Sequence, residues 1–152
     1  MATKKIKDEK FQKRTQQLKM VDGADFFIDD RHSVRFTTSF LNCPRLDAVP
    51  RKFLSALYLL TANFHVWNRI KYHIDYKLFK IGFGRVSLQG VSTSGYNFFR
   101  AACDLLTGTE YLSTFDLASD EIVDSDVFKI IVNSMAIEKF DTNALLCKAK
   151  NE

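Results

Sequence analysis

Apolar residues recur every three or four positions through most of the chain, which is the spacing of one face of an α-helix. Cap residues, prolines and a glycine bound these stretches. Together they predict helices over about 30–43, 51–62, 63–74, 93–107 and 125–140, with a short helix around residue 117. The helix over 93–107 is the clearest, because Ser92 or Thr93 starts it and Gly108 supplies a left-handed stop.

The position of each helix follows from which of its faces are apolar. Segment 51–62 is apolar almost all round, so we expect it to be the central helix. In segment 125–140 we expect four side chains to point inward: Phe128, Ile131, Val132 and Met135. In segment 63–74 an apolar face opposes a polar one that carries His65, Arg69 and His73. The apolar face there consists of Phe64, Trp67, Ile70 and Ile74.

Residues 76–88 alternate apolar residues with Gly82 and Gly84, a pattern that fits either a short hairpin near 78–88 or an irregular connector. The fold class predicted for the whole chain is therefore mainly α, an irregular bundle of about six or seven helices. A length of 152 residues suits one domain. We assign it to residues 23–140, preceded by a basic N-terminal helix or flexible extension (1–22) and followed by a tail (141–152).

The chain also lacks the sequence features of a membrane or secreted protein. No apolar run approaches the roughly 20 residues that cross a bilayer, and no apolar segment of the secretory type follows the N-terminal lysines. Cys43, Cys103 and Cys147 are odd in number and widely spaced, which predicts reduced thiols. We expect a cytoplasmic protein of a bacterial host cell with no membrane association.

Charge is segregated along the chain. Net charge is +5 over residues 1–20, −2 over 21–44, +6 over 45–85 and −5 over 86–152, within a total of +4. Basic segments with interleaved aromatic residues suit contact with phosphates or with an acidic protein surface. The candidate binding residues are Lys4, Lys5, Lys7, Lys10, Lys13, Arg14, Arg69, Lys71, Lys77, Lys80, Phe83 and Arg85.

An acidic run follows the clearest helix and contains no Lys or Arg from 110 to 126. Its carboxylates are either solvated helix starts, where the helix dipole favours them, or a surface for a basic partner. The residues assigned to it are Asp116, Asp120, Glu121, Asp124 and Asp126. Their spacing does not match the calcium-binding loop of an EF-hand.

No motif in the chain predicts a catalytic or metal centre. His65 and His73 share a helix face but lie about 12 Å apart along the axis, too far for one ion. The cluster Gly90–Gly95 misses the G-x-S-x-G spacing by one residue, so helix capping explains its hydroxyls better. The Gly82–Gly84 pair lacks the third glycine of a dinucleotide fingerprint, although the loop with Phe83 and Arg85 suits either a contact or a simple turn. We predict no enzyme activity, metal or cofactor.

Three stretches carry a resemblance to a known family: 57–62 (LYLLTA) with Trp67-Asn68-Arg69, then 90–96 (GVSTSGY), then 105–108 (LLTG). Over about residues 26–140 the chain resembles a small uncharacterised helical family of Gram-positive bacteria and their phages or mobile elements. That resemblance implies a compact helical domain and supplies no activity, cofactor or catalytic residue.

The functional hypothesis is a non-enzymatic binding protein that engages a protein or ribonucleoprotein partner. A phage-encoded inhibitor of a bacterial defence nuclease, similar in role to anti-CRISPR proteins, is one concrete version. The alternative is a nucleic-acid-binding accessory protein that uses its basic N-terminal segment. A hydrolase or transferase that uses Ser92, Ser94 or the acidic run ranks last.

Overall fold

A computed structural model describes residues 26–140 of the chain. They form six α-helices and one two-stranded antiparallel hairpin, which confirms the predicted irregular helical bundle with a short β element. Three single 3-10 turns connect them, at Leu46–Ala48, Lys71–His73 and Phe83–Arg85. The elements are α1 (Asp30–Leu41), α2 (Arg51–Leu60), α3 (Phe64–Ile70), β1 (Ile74–Asp75), β2 (Lys80–Ile81), α4 (Thr93–Thr107), α5 (Thr114–Ala118) and α6 (Ser125–Phe140).

The helices start where the capping residues predict. Asp29 caps α1 by accepting a hydrogen bond from the His32 amide, 2.8 Å away, and the Asn63 side chain caps α3 in the same way. Ser92 caps α4, which ends at Gly108 with a φ of +77°. Local side-chain chemistry therefore sets these boundaries without help from the rest of the fold.

Helix α2 is the centre of the core, as its apolar sequence predicts. Every residue from Phe53 to Leu60 is buried. Helices α4 and α6 pack most extensively against it, while α1 and α3 cover it further. One contiguous apolar cluster runs from Phe26 to Ile137 through these helices.

A buried polar network fastens the start of the described chain to the core. The hydroxyl of Tyr58 donates to the carbonyl of Phe26, which also accepts from Asn133 Nδ2 at 3.4 Å. The His32 ring accepts from the Ile28 amide through Nδ1 and donates from Nε2 to the Tyr58 carbonyl, 2.7 Å away. These bonds satisfy the polar atoms that α1, α2 and α6 bury.

Helix α6 presents a different face to the core from the one that the sequence predicts. Of the four side chains expected inside, only Ile131 is buried, and the prediction was wrong for Phe128, Val132 and Met135, which are exposed. Asn133 and Ser134 face inward instead, where the backbone carbonyl of Ser134 accepts from Ser55 Oγ at 2.9 Å. Because these polar groups are hydrogen-bonded inside, the helix buries a mixed face and exposes an apolar one.

The region after α3 also differs in detail. The α-helix ends at Ile70, so Ile74 lies in β1 rather than on the helix, and Phe64 is exposed rather than part of a buried face. The hairpin spans 74–81, with Ile74 opposite Ile81, and thus begins four residues before the predicted range. The Asp75 side chain stabilises its turn by accepting from the amides of Lys77 and Leu78.

The basic N-terminal segment, predicted as a helix or a flexible extension, and the C-terminal tail lie outside the described residues. Within 26–140, none of the helices is long and apolar enough to cross a membrane.

Candidate functional site

Two adjoining open clefts lie along α3 and the turn that follows it, and Tyr72 lines both. They measure about 520 and 480 Å³. We call the two together the basic groove. Besides Tyr72, the first is lined by Asn68, Arg69, His73, Arg85, Val86, Ser87 and Gln89, and the second by Val34, Arg35, Thr38, Ser39, Asn42, Trp67, Lys71 and Tyr76.

Three separate segments build the basic groove. Helix α3 and the 3-10 turn at 71–73 form the floor of both clefts, residues 85–89 form a wall of the first, and α1 forms a wall of the second. The floor is held in place by Asn63, which caps α3, and by Val66 and Ile70, which are fully buried in the core. The polar face of α3 is consequently directed outward.

Arg69 ties one wall of the basic groove to its floor. Its Nη1 donates to the carbonyls of Ser87, at 3.0 Å, and Gln89, at 2.7 Å. The guanidinium therefore fixes the 87–89 segment against α3 while its charge stays at the groove surface. An Arg fork has five donors, so binding these two carbonyls leaves others for a ligand.

Arg35 ties the opposite wall to the core. Its Nε donates to the Thr61 carbonyl at the end of α2, 2.7 Å away. Partial burial lowers the pKa of Arg35, and the charge of nearby Asp29 opposes that change. The guanidinium keeps its charge near neutral pH, because arginine pKa values start far above it.

The basic groove carries positive charge without a compensating carboxylate in its lining. Its charged side chains are Arg35, Arg69, Lys71 and Arg85, and none of its lining residues in the described part of the chain is acidic. Side chains of one sign along a cleft raise the local concentration of oppositely charged ligands. The electrostatics thus favour an anionic ligand.

Aromatic side chains accompany this charge. Tyr72 exposes 78% of its surface, and Lys71 Nζ lies 5.2 Å from the centre of its ring. Trp67 and Tyr76 are half-buried in the neighbouring cleft, where burial raises the pKa of Tyr76. A planar ligand can therefore stack on the face of Tyr72 without displacing core residues.

The predicted basic residues fall into three groups in the structure. Arg69, Lys71 and Arg85 line the basic groove, whereas Lys77 and Lys80 lie exposed on the hairpin beside it. Phe83 packs edge-on against Phe99, with ring centres 5.3 Å apart, so its ring contributes packing. The others lie outside the described residues: Lys4, Lys5, Lys7, Lys10, Lys13 and Arg14.

The predicted acidic residues lie around α5 and the start of α6. Asp116 forms a capping box with Ser113, and the hydrogen bond from the Ser113 amide holds the pKa of that carboxyl below its usual range. Asp124 accepts from the Val127 amide at the start of α6. Asp120, Glu121 and Asp126 are exposed. Two of the five carboxylates thus have helix-capping roles.

The three histidines occupy three different environments within residues 26–140. His32 is fully buried, His65 is exposed beside Phe64, and His73 lies in the basic groove. Among the described residues no group of three or more His, Cys, Asp or Glu side chains could hold a metal ion. Ser92 Oγ is engaged as the α4 cap, accepting from Gly95 N at 3.2 Å.

Sequence reasoning missed several residues of the basic groove. Arg35 comes from α1, more than 30 positions before Arg69, and only the packing of α1 beside α3 brings the two to one surface. Tyr72 and Trp67 stand between basic residues, which is a usable signal, yet the sequence does not reveal that Tyr72 is exposed and Trp67 half-buried.

Comparison of the chain with protein-family models, with curated proteins and with solved structures found no match. The resemblance to a family of Gram-positive bacteria and their mobile elements therefore stays a prediction.

Proposed function

We propose that this protein is a non-enzymatic binding protein that engages a ribonucleoprotein partner, and that its basic groove receives a single-stranded stretch of the partner's RNA. One observation carries the proposal. An open groove combines four Arg or Lys side chains, no acidic lining residue within 26–140 and a tyrosine ring exposed over most of its surface.

The basic side chains suit a nucleic-acid backbone. Arg69, Lys71 and Arg85 come from the floor and one wall, so a strand that follows the groove meets positive charge along its path. Contacts of this kind release counterions, so the binding constant falls as the salt concentration rises. In a plot of the logarithm of the binding constant against the logarithm of salt concentration, each neutralised phosphate of a single strand makes the slope steeper by about 0.7.

The aromatic side chains favour a single strand over a duplex. Tyr72 offers its ring face at the junction of the two clefts, and base stacking on such a ring contributes about 1–3 kcal/mol. Bases in a duplex already stack on each other, whereas unpaired bases in loops or ends are free to stack on protein. No helix-turn-helix pattern, which would favour the groove of a duplex, lies near the basic N-terminal segment.

The narrower hypothesis of a phage-encoded inhibitor of a bacterial defence nuclease stays a prediction. It rests on the family resemblance, while the groove supports the broader class of ribonucleoprotein partner. Binding through the basic N-terminal segment is the competing explanation, and the experiment separates the two.

We expect a fluorescein-labelled single-stranded RNA to bind the full-length protein, with an affinity that falls between about 50 and 200 mM salt. Tyr72→Ala should weaken binding by at least about fivefold, because it removes a base stack of about 1–3 kcal/mol. Arg85→Gln should reduce the salt slope by about 0.7, since one phosphate contact is lost. Fluorescence anisotropy titrations at several salt concentrations measure both effects.

Tyr111→Ala and Arg45→Gln are the matched controls, because both residues are exposed and neither lines the basic groove. The proposal is wrong if the RNA does not bind at low salt, or if the groove variants bind as the controls do. A full-length variant with Lys4, Lys5, Lys7, Lys10, Lys13 and Arg14 replaced by glutamine tests the competing explanation. Loss of binding in that variant alone would assign the site to the N-terminal segment.

A further inference from the structure

Helix α6 carries an apolar stripe on its outer surface. Phe128, Val132 and Met135 recur at i, i+4 and i+7, so they share one helix face. They expose 44%, 43% and 42% of their surfaces. Neighbouring exposed apolar side chains on one helix are unusual on a surface that contacts only water, and they mark interaction sites more often than scattered ones do.

A cleft of about 140 Å³ continues this stripe toward α4. Ile131 and Met135 form one side of it, and Leu105 and Leu117 form part of the rest. The cleft is lined by both apolar and polar residues, and a space of that size holds a group as large as a benzene ring. The exposed stripe and the neighbouring cleft therefore form one continuous surface. We call this surface the α6 face.

The wall of the cleft is fixed by Asp104. Its Oδ1 accepts from the Thr109 hydroxyl at 2.6 Å, and its Oδ2 accepts from the Leu112 amide at 2.9 Å. These bonds hold the 109–112 loop beside α4, so the cleft is already formed in the free protein. Glu110 lies on that loop, is exposed and lines the cleft.

The α6 face is acidic toward the start of α6. Residues 100–140 contain eight Asp or Glu residues against three basic ones, Arg100, Lys129 and Lys139, and Lys139 lies in the last turn of α6. Glu110 stands at the cleft, while Asp120, Glu121 and Asp124 gather in the turn that leads into the start of α6. A ligand that covers the stripe must bring positive charge close to these carboxylates.

We propose that the α6 face is a docking site for a cationic amphipathic helix of a protein partner. Such a helix places apolar side chains over the stripe and one aliphatic or aromatic anchor in the cleft, with lysines or arginines toward the acidic turn. Recognition of an amphipathic helix by an apolar groove is a recurring binding mode. The charge of the surroundings selects a basic helix and disfavours an acidic one.

The α6 face is distinct from the basic groove, since the two share no lining residue. The inference does not depend on the proposed RNA binding. Each surface has its own probe and its own variants, so failure of one proposal leaves the other open to its own test.

The probe is a synthetic 18-residue leucine–lysine peptide with leucines at i, i+4 and i+7 spacing, compared with a scrambled peptide of the same composition. We expect saturable binding to the full-length protein, at least about tenfold weaker for the scrambled peptide. Val132→Lys should weaken binding at least about tenfold, because it brings like charge into the apolar contact. Leu41→Lys on α1 is the matched control, since Leu41 is an exposed apolar helical residue that lines neither the α6 face nor the basic groove.

The methionines locate the site directly. The chain has three, Met1, Met20 and Met135, so methyl NMR gives a small set of signals, of which Met135→Leu identifies one. The Met135 signal should shift on peptide binding. An unmoved Met135 signal at saturation, or equal affinity of the Val132→Lys and Leu41→Lys variants, would overturn the proposal. Peptide binding that occurs only after the N-terminal lysines are replaced by glutamine would also overturn the proposal. In that case the protein's own N-terminal segment would be the occupant of the α6 face.

Discussion

His32 illustrates how burial of one side chain couples the stability of this fold to pH. Its ring is fully enclosed, accepts from the Ile28 amide and donates to the Tyr58 carbonyl. Burial is the main reason that its pKa falls from 6.5 to about 4, with nearby Arg35 adding to the effect. The hydrogen bond to Tyr58 and the charge of Asp29 oppose the shift without cancelling it.

We expect the free energy of unfolding to decrease as the pH falls from 6.5 to about 4. The unfolded chain binds a proton at the ordinary histidine pKa, whereas the folded chain resists protonation until about pH 4. The stabilisation is therefore complete above pH 6.5, and about 2 kcal/mol should be lost by pH 4.5. Denaturant unfolding at a series of pH values measures this loss.

His65→Gln is the control for this experiment, because His65 is exposed, and its pH dependence should match that of the unaltered protein. His32→Asn should flatten the dependence over the same range. If that variant does not fold, NMR titration of the His32 ring in the unaltered protein replaces it. A ring that becomes protonated near pH 6.5 in the folded state would contradict the prediction.

At the scale of elements, α6 shows why an apolar pattern alone can predict the wrong helix face. The sequence favours Phe128, Val132 and Met135 as the inner face, but the structure buries Asn133 and Ser134 instead. The Ser134 hydroxyl donates to the carbonyl of Ile131, and Asn133 reaches the carbonyl of Phe26. Polar side chains are stable inside when such partners are present.

Adjacent positions on α6 test this orientation. Ile131→Ala should lower the free energy of unfolding by about 2–5 kcal/mol, because Ile131 is almost fully buried and its loss leaves a cavity. Val132→Ala should change it by less than about 1 kcal/mol, since Val132 is exposed. Chemical denaturation of both variants gives the comparison. Equal losses, or a larger loss at Val132, would mean that the helix is rotated from the orientation described.

At the scale of the whole molecule, the charge segregation in the sequence becomes two separate surfaces. The basic groove draws on α1, α3 and residues 85–89, whereas the α6 face draws on α4, the α4–α5 loop and α6. Helix α2 contacts α1, α3, α4 and α6 and so joins the elements that carry the two surfaces. A protein with this layout can bind an anionic and a cationic partner through different residues.

We expect the two surfaces to act independently. Val132→Lys should bind the RNA with an affinity within about twofold of that of the unaltered protein. Arg85→Gln should likewise bind the leucine–lysine peptide within about twofold of the unaltered protein, because sites without shared residues usually show little coupling. Anisotropy titrations of both variants against both probes measure the four affinities. A change of more than about fivefold in either cross-comparison would contradict the independence of the two surfaces.

The sequence by itself determined where the helices start, the central place of α2 and the mainly helical class, because caps, prolines, glycines and apolar periodicity act over a few neighbouring residues. Only the tertiary structure decided which side of α6 is covered, that Phe83 packs on Phe99, and that Arg35 joins Arg69 in one groove. Those outcomes depend on partners more than ten positions away along the chain, such as Phe26 for Asn133 and Thr61 for Arg35. Local sequence patterns do not predict such pairings, because only the packing of the helices brings those groups together.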